Sequence, residues 1–192
     1  MGHLLVAEID SMIETLKFFH EDYWWDYNFN FIPSPLLRRL IKLKGWTILQ
    51  DDIATIYEYN REAHEKALLS HSINILLAVQ PHYSFKLYFE ILDSGGSLSV
   101  VYSSDIFNKI KEDNSEELQK LISNKRFRLY TCPELRDLFY LYQCDSLVFL
   151  RPLTNNGTVG NIRLMNSSPE AVQWGREVFE YYFKGSTLIT EI

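Results

Sequence analysis

The sequence predicts an α/β domain with a mixed, largely parallel central sheet flanked by helices. Three observations lead there. Residues 72–79, Ser-Ile-Asn-Ile-Leu-Leu-Ala-Val, are a short branched apolar run of the kind buried on both faces of a sheet. Phe85, Phe89 and Leu92 then recur at helical spacing as far as Gly95-Gly96, and a second apolar run, 98–102, follows. Strand, helix, strand with short turns is the unit that builds parallel sheets. A chain of 192 residues is enough for one domain with a complete core.

The other elements follow from the N-terminus onward. Leu5, Ile9, Met12, Ile13 and Leu16 stand at helical spacing with Glu8, Asp10 and Glu14 between them, which predicts an amphipathic helix over 4–19. Its stripe must be covered by the domain's own core or by the same helix of another copy. The rings of Tyr23, Trp24, Trp25, Tyr27, Phe29 and Phe31 come next, either as the wall of a ligand pocket or as a clamp on that helix. Pro33 and Pro35 keep the chain extended or turning ahead of a helix over 36–43. Residues 46–50 read as a short strand after Gly45, and 54–69 as a polar helix. Ser103, Ser104 and Asp105 resemble the cap of a further helix, and 109–125 is polar and helical with Leu118, Leu121 and Ile122 facing inward. Residues 126–130 alternate like a strand with one solvated face, and 138–142 and 146–150 read as two more strands. Asn155-Asn156-Gly157 is a hairpin turn, because positive φ is cheap for Gly and Asn, and 162–165 is the returning strand. Ser167-Ser168-Pro169-Glu170 has the spacing of a capping box with Pro in the first turn. The helix it opens carries Val172, Val178, Phe179, Tyr182 and Phe183 as its stripe and closes at Gly185.

Charge and composition narrow the function. A net charge of −6 sets this chain apart from domains that neutralise phosphates with a basic face. Cys132 and Cys144 have no CxxC partner and no adjacent metal-type His, so both read as buried thiols of a reducing, cytoplasmic compartment. No apolar run approaches the roughly 18 residues of a membrane span, and no signal peptide is read. His64 and His71 stand seven apart, but two ligands do not make a metal site; neither metal nor cofactor is expected. The sequence has no GxSxG elbow, P-loop, GxGxxG or HExxH, so an enzyme is not expected.

In α/β sheets, ligands bind where strands end and helices begin. Here those loops are Gln80-Pro81-His82-Tyr83-Ser84 and Tyr102-Ser103-Ser104-Asp105. Both lead into helix N-termini, whose free N–H groups favour anions. The candidate ligand-binding residues are therefore His82, Tyr83, Ser84, Ser103, Ser104 and Asp105, and the ligand a small anion or polyol. A hydrolase or transferase in the same cleft would draw on His82 and Asp105. Asp145, at the head of an apolar strand, reads as a strand cap.

Several segments together resemble a known family. They are Asn30-Phe31-Ile32-Pro33 before a Leu-Leu-Arg-Arg helix, the strand and helix around 73–102, and the ending Ala171-Val172-Gln173-Trp174-Gly175-Arg176-Glu177-Val178-Phe179-Glu180-Tyr181-Tyr182. This is similar to the C-terminal domain of archaeal transcription regulators of the methanogenesis-regulator type, which follows an ArsR-like winged helix. A weaker resemblance is to phospholipase-D-like effector domains that have lost their catalytic His and Lys. The resemblance implies a catalytically inactive phospholipase-D-like fold that dimerises, senses a small-molecule effector, and reaches DNA only through the winged helix. The expected division is a connecting helix over 1–22 and a sensor domain over 23–192, with the winged helix missing from this chain.

Overall fold

The computed structural model of the chain describes residues 25–52 and 55–192. The expected first helix, and the proposal that the aromatic cluster clamps it, fall on residues outside that range. From Tyr27 onward the cluster belongs to the core: β1 (Tyr27–Asn28) pairs with a later strand, and Phe29 and Phe31 are buried. Helix α1 (Ser34–Lys42) starts at the prolines, and β2 (Thr47–Gln50) follows. The helix expected over 54–69 forms only as α2 (Arg61–Leu68), because Asn60 caps it by accepting the Ala63 N–H. Residues 55–58 turn ahead of it.

The middle folds as the sequence predicts, with β3 (Ser72–Leu77), α3 (Ser84–Asp93) and β4 (Ser97–Ser103) in succession. The polar helix expected over 109–125 is two helices, α4 (Ser104–Asp113) and α5 (Ser115–Ile122). They part at Asn114, whose φ of −138° is not helical. Strands β5 (Phe127–Cys132), β6 (Leu138–Cys144), β7 (Leu147–Thr154) and β8 (Ile162–Asn166) come next. Gly157 takes the positive φ, 73°, that the hairpin turn requires. Helix α6 (Pro169–Lys184) is capped by Ser168, whose Oγ accepts the Ala171 N–H. The cap thus sits one residue later than the capping-box spacing implies, and Ser167 instead accepts from Lys66 Nζ. A last strand that the sequence reading omits, β9 (Thr187–Ile189), closes the sheet edge beside β5.

These strands form one sheet in the order β2-β8-β7-β6-β3-β4-β5-β9, with β1 set against β7. Of the eight pairings only β3·β4 and β4·β5 are parallel, which corrects the expected largely parallel sheet. The class, mixed α/β with helices on the sheet, stands. The reason for the difference is connection length. Helical crossovers join β3 to β4 and β4 to β5, whereas two-residue and hairpin turns join β6, β7 and β8, and short turns give antiparallel neighbours.

Both faces of the sheet are covered. One core lies between the sheet and α2, α3, α4 and α5, around Ile75, Tyr88, Leu98 and Leu118. The other lies under α1, α6 and the β1 region, around Leu76, Leu150, Trp174 and Phe179. Alternation along β3 sends Ile73, Ile75 and Leu77 to the first core and Leu76 to the second. Trp174 is fully buried; its Nε1 donates to the Leu36 carbonyl at 2.8 Å, and its ring meets Trp46 edge to face at 5.7 Å. No described helix is long and apolar enough to cross a membrane.

Candidate functional site

Strand register builds the site. On the face that carries α2 and α3, cross-strand partners fall into two rungs: Ile75, Tyr142 and Phe149 in one, and Tyr102, Leu77, Tyr140 and Arg151 in the other. The first is apolar apart from one hydroxyl. The second, at the carboxyl ends of β3 and β4, collects the polar side chains. Above them α2 and α3 leave a small cleft with a cavity volume of about 80 Å³. Helix α2 presents Ala63, His64 and Ala67 to it, and α3 presents Ser84, Leu87 and Tyr88. Two alanines four residues apart keep that wall of α2 low, and this is why the space exists. His64 Nε2 lies 2.7 Å from Glu90 Oε2, so a hydrogen bond spans the helices. Tyr59 stands at the mouth, edge-on to His64 at 5.5 Å and tilted against Tyr83 at 6.0 Å.

Beside the cleft lies a buried ionic cluster. Arg151 is fully buried; its Nε and Nη2 donate to the Gly160 carbonyl, and its Nη1 donates to the Ile56 carbonyl at 2.6 Å. Arg163 donates to Asp51 and to the Glu58 carbonyl. Asp51 lies 3.5 Å from Arg151 as well. The guanidiniums stack over Phe139 and Phe149, with centroid distances of 5.0 and 5.8 Å. The two arginines thus hold the turn 55–58, and with it Tyr59, over the end of the sheet.

Burial dominates the ionisation of the tyrosines. It pushes the phenols of Tyr83, Tyr88, Tyr140 and Tyr142 above their ordinary value; at Tyr83 the nearby Arg151 and Arg163 oppose it in part. All four are neutral hydroxyls at physiological pH. Among the described residues, buried side-chain oxygens and nitrogens without a hydrogen bond of ordinary geometry belong to Asp51, Gln80, Tyr88, Tyr102, Tyr142 and Arg163, yet Tyr88 and Gln80 both face Tyr102, Tyr142 faces Cys144, and Asp51 faces Arg151. These atoms gather in and behind the cleft.

The expected site residues divide. Tyr83 and Ser84 line the cleft. His82 is exposed, with its ring against Tyr83 at 5.3 Å. Ser103 caps α4 by accepting the Ile106 N–H at 3.3 Å, while Ser104 and Asp105 form that helix's first turn. His82, Ser103, Ser104 and Asp105 do not line the cleft. Tyr88, Tyr140, Tyr142, Arg151 and Arg163 were not read from the sequence as site residues. The signal for the arginines was present, since each interrupts an otherwise apolar strand. His64 and His71 do not share a partner: His71 meets Asp145, and no cluster of three or more metal-type ligands occurs among the described residues.

Comparison with known proteins places this architecture. A family model described as "Methanogenesis regulatory protein FilR1, middle domain" matches residues 56–185. A curated relative, methanogenesis regulatory protein FilR1 of Methanothrix harundinacea, is 26% identical over 179 residues; they cover 88% of this chain and 39% of the relative. The chain therefore spans about two fifths of that relative's length. Among solved structures, the archaeal chromatin protein TrmBL2 is similar, with a TM-score of 0.53 at 14% identity, covering 97% of this chain and 65% of that one. Nuc, a phospholipase D family member from Salmonella typhimurium, has a TM-score of 0.52 at 9% identity over 76% of this chain and 97% of its own. A phosphatidylserine synthase from Haemophilus influenzae reaches 0.54 at 11% identity over 76% and 40%. At such identities these three share the fold alone, and that fold is phospholipase-D-like. The family model describes a middle domain, where the sequence resemblance implied a C-terminal one. This chain belongs to the FilR1 middle-domain family of methanogenesis regulatory proteins.

Proposed function

We propose that the domain is the effector-sensing and dimerising part of a transcription regulator, and that the cleft between α2 and α3 is its effector site. The observation that carries this reading is the cleft itself, a small space between two helices joined across it by the half-buried His64–Glu90 hydrogen bond and roofed by a turn that ends in Tyr59. A ligand that fits one spacing of α2 and α3 better than another shifts the population between them. DNA-reading heads elsewhere in the regulator respond to that shift, and a second copy of the domain sets their separation. The ionisable groups of the cleft, neutral tyrosines and a histidine bound to a glutamate, suit binding rather than bond-breaking.

The test is a thermal-shift screen of the purified chain against phosphorylated metabolites, one-carbon cofactors, sugars and neutral ring compounds, with sedimentation run alongside. A dose-dependent rise with one chemical class, lost when Ala67→Leu fills the cleft, supports the sensor, because a ligand that prefers the native state must raise its stability. A flat response from a dimer replaces it with a structural module. A monomer at every concentration removes the dimerising role.

A further inference from the structure

The sheet ends at two edges, and one of them is open to continuation. Strand β2 is outermost beside β8, with Thr47, Ile48, Leu49 and Gln50 opposite Met165, Leu164, Arg163 and Ile162. The Asp51 N–H donates to the Asn161 carbonyl at 2.8 Å, so the ladder runs on past the strand and Asp51 stands in a hydrogen-bonded pair. Antiparallel partners alternate between such pairs and pairs whose backbone groups point away. Thr47, Leu49 and Asp51 therefore turn their N–H and C=O groups to β8, while those of Ile48 and Gln50 point out of the sheet. Among the described residues, no turn, loop or side chain accepts from these two N–H groups.

A row of open backbone groups is a template for another strand, and a solitary edge is commonly blunted by a proline, a bulge or an inward charge. Strand β2, Thr-Ile-Leu-Gln in regular register, has none of these. Alternation sends Leu49 to the core under α2–α5 and sets Ile48, with Leu164, on the α1 side, where Ile48 is 39% exposed. The residues that flank the strand carry opposite charges: Lys44 precedes it and Asp52 follows it, both exposed. The far edge differs. Strand β9 is three residues long, and soon after it Ile192 packs on the core under α2–α5.

We propose that β2 pairs antiparallel with β2 of a second copy across a two-fold axis at Ile48, joining the two sheets edge to edge. The proposal rests on the dimerising part of the reading above and names its interface. The charges favour a second copy as the occupant. With Ile48 on the axis, the start of each strand lies beside the end of the other, so Lys44 falls opposite Asp52 of the partner subunit, and the symmetry repeats the pair. The Ile48 N–H and C=O groups bond reciprocally across the axis, and those of Gln50 meet the backbone at Trp46 of the partner subunit.

Sedimentation equilibrium of the purified chain from about 5 to 500 μM tests it; so small an interface is expected to hold a dimer with a Kd of about 1–100 μM. Ile48→Pro removes an N–H that a single copy leaves unused, a position at which an edge strand tolerates proline. It is expected to keep the native Tm and to sediment as a monomer throughout. Ile48→Lys sets like charges on the axis and is expected to weaken the dimer about tenfold. Lys44→Glu is expected to weaken it about two- to tenfold, and Asp52→Lys added to it to restore the affinity, a rescue that a structural role of either residue would not produce. Leu188→Lys, on β9, should leave the dimer unchanged. A native chain that is a monomer at every concentration overturns the proposal together with the dimerising role. A dimer that persists in both Ile48 variants overturns the edge alone and leaves the dimerising role standing; its loss in Leu188→Lys would then move the interface to β9. An exchange of the two charges that brings no rescue overturns the two-fold register. Should Ile48→Pro fail to fold, Ile48→Lys and the charge exchange decide.

Discussion

Three residues carry consequences that can be measured one at a time. Arg151 has no exposure to water and shares Asp51 with Arg163. Arg151→Met removes the donors to Ile56 and Gly160 and leaves the other charges buried, so a loss of about 3–5 kcal/mol is expected in urea unfolding. Gly175 faces Val148 so closely that an added Cβ would lie 2.6 Å from its Cγ2. Gly175→Ala therefore drives α6 off β7 and should cost about 1–3 kcal/mol by the same measurement. Asp145 accepts the His71 N–H at 2.8 Å, and that bond, the largest of its influences, holds its carboxyl below the usual aspartate range. A group whose folded pKa is depressed stabilises fully above its unfolded value, near 4, and less as pH falls through the folded one. The Tm gap between the native chain and Asp145→Asn should therefore be constant near neutrality and shrink below about pH 4, as followed by thermal melts from pH 7 to 3. At this scale the sequence was a fair guide where chemistry is local. Asp145 reads as a cap of the strand it enters, and its carboxylate instead accepts the His71 N–H just ahead of β3. Asn60, Ser103 and Ser168 are caps because their oxygens meet N–H groups three residues on. The Arg151–Asp51–Arg163 contact joins residues about a hundred positions apart, and no spacing rule reaches that far.

At the scale of elements, periodicity located nearly every strand and helix, and the misses have specific causes. The long polar helix over 109–125 breaks at Asn114 because Ser115, Glu116 and Glu117 make a better helix start than continuation, with two acidic residues in the new first turn. The α2 segment lost its first turns to the demands of the two arginines, whose donors need the carbonyls of Ile56 and Glu58. Strand β9 is three half-exposed or exposed residues with no alternation to mark it; pairing with β5 makes it a strand. The cleft was legible only at one end. Tyr83 and Ser84 follow from the strand-end rule, whereas Tyr88, Tyr140 and Tyr142 look like core aromatics until the fold lays α3 over β6. Hydrogen exchange should find the turn 55–58 slower than an ordinary surface turn, and Arg151→Met should make it exchange fastest of all the segments ahead of α2.

For the whole molecule, composition and the β3–α3–β4 unit gave the class, mixed α/β, but not the balance of parallel and antiparallel strands. Pairing direction depends on where the chain goes after β5, and the turns between β6, β7 and β8 decide that. The likeness to TrmBL2, Nuc and the phosphatidylserine synthase shows how far one layout can be shared with little sequence in common. The order of the strands also has a kinetic meaning. Strands β6, β7 and β8 with α6 form a contiguous block from Leu138 to Lys184, so its ends meet after short loops close. The central pairing of β3 with β6 must bring Asn74 to Gln143 across much of the chain, and the entropy of that closure is spent before any contact is gained. The antiparallel block is then the template on which the parallel half assembles. The seam between β3 and β6 therefore closes late, and β2 and β1, whose partners lie further off still along the chain, are expected to dock later again.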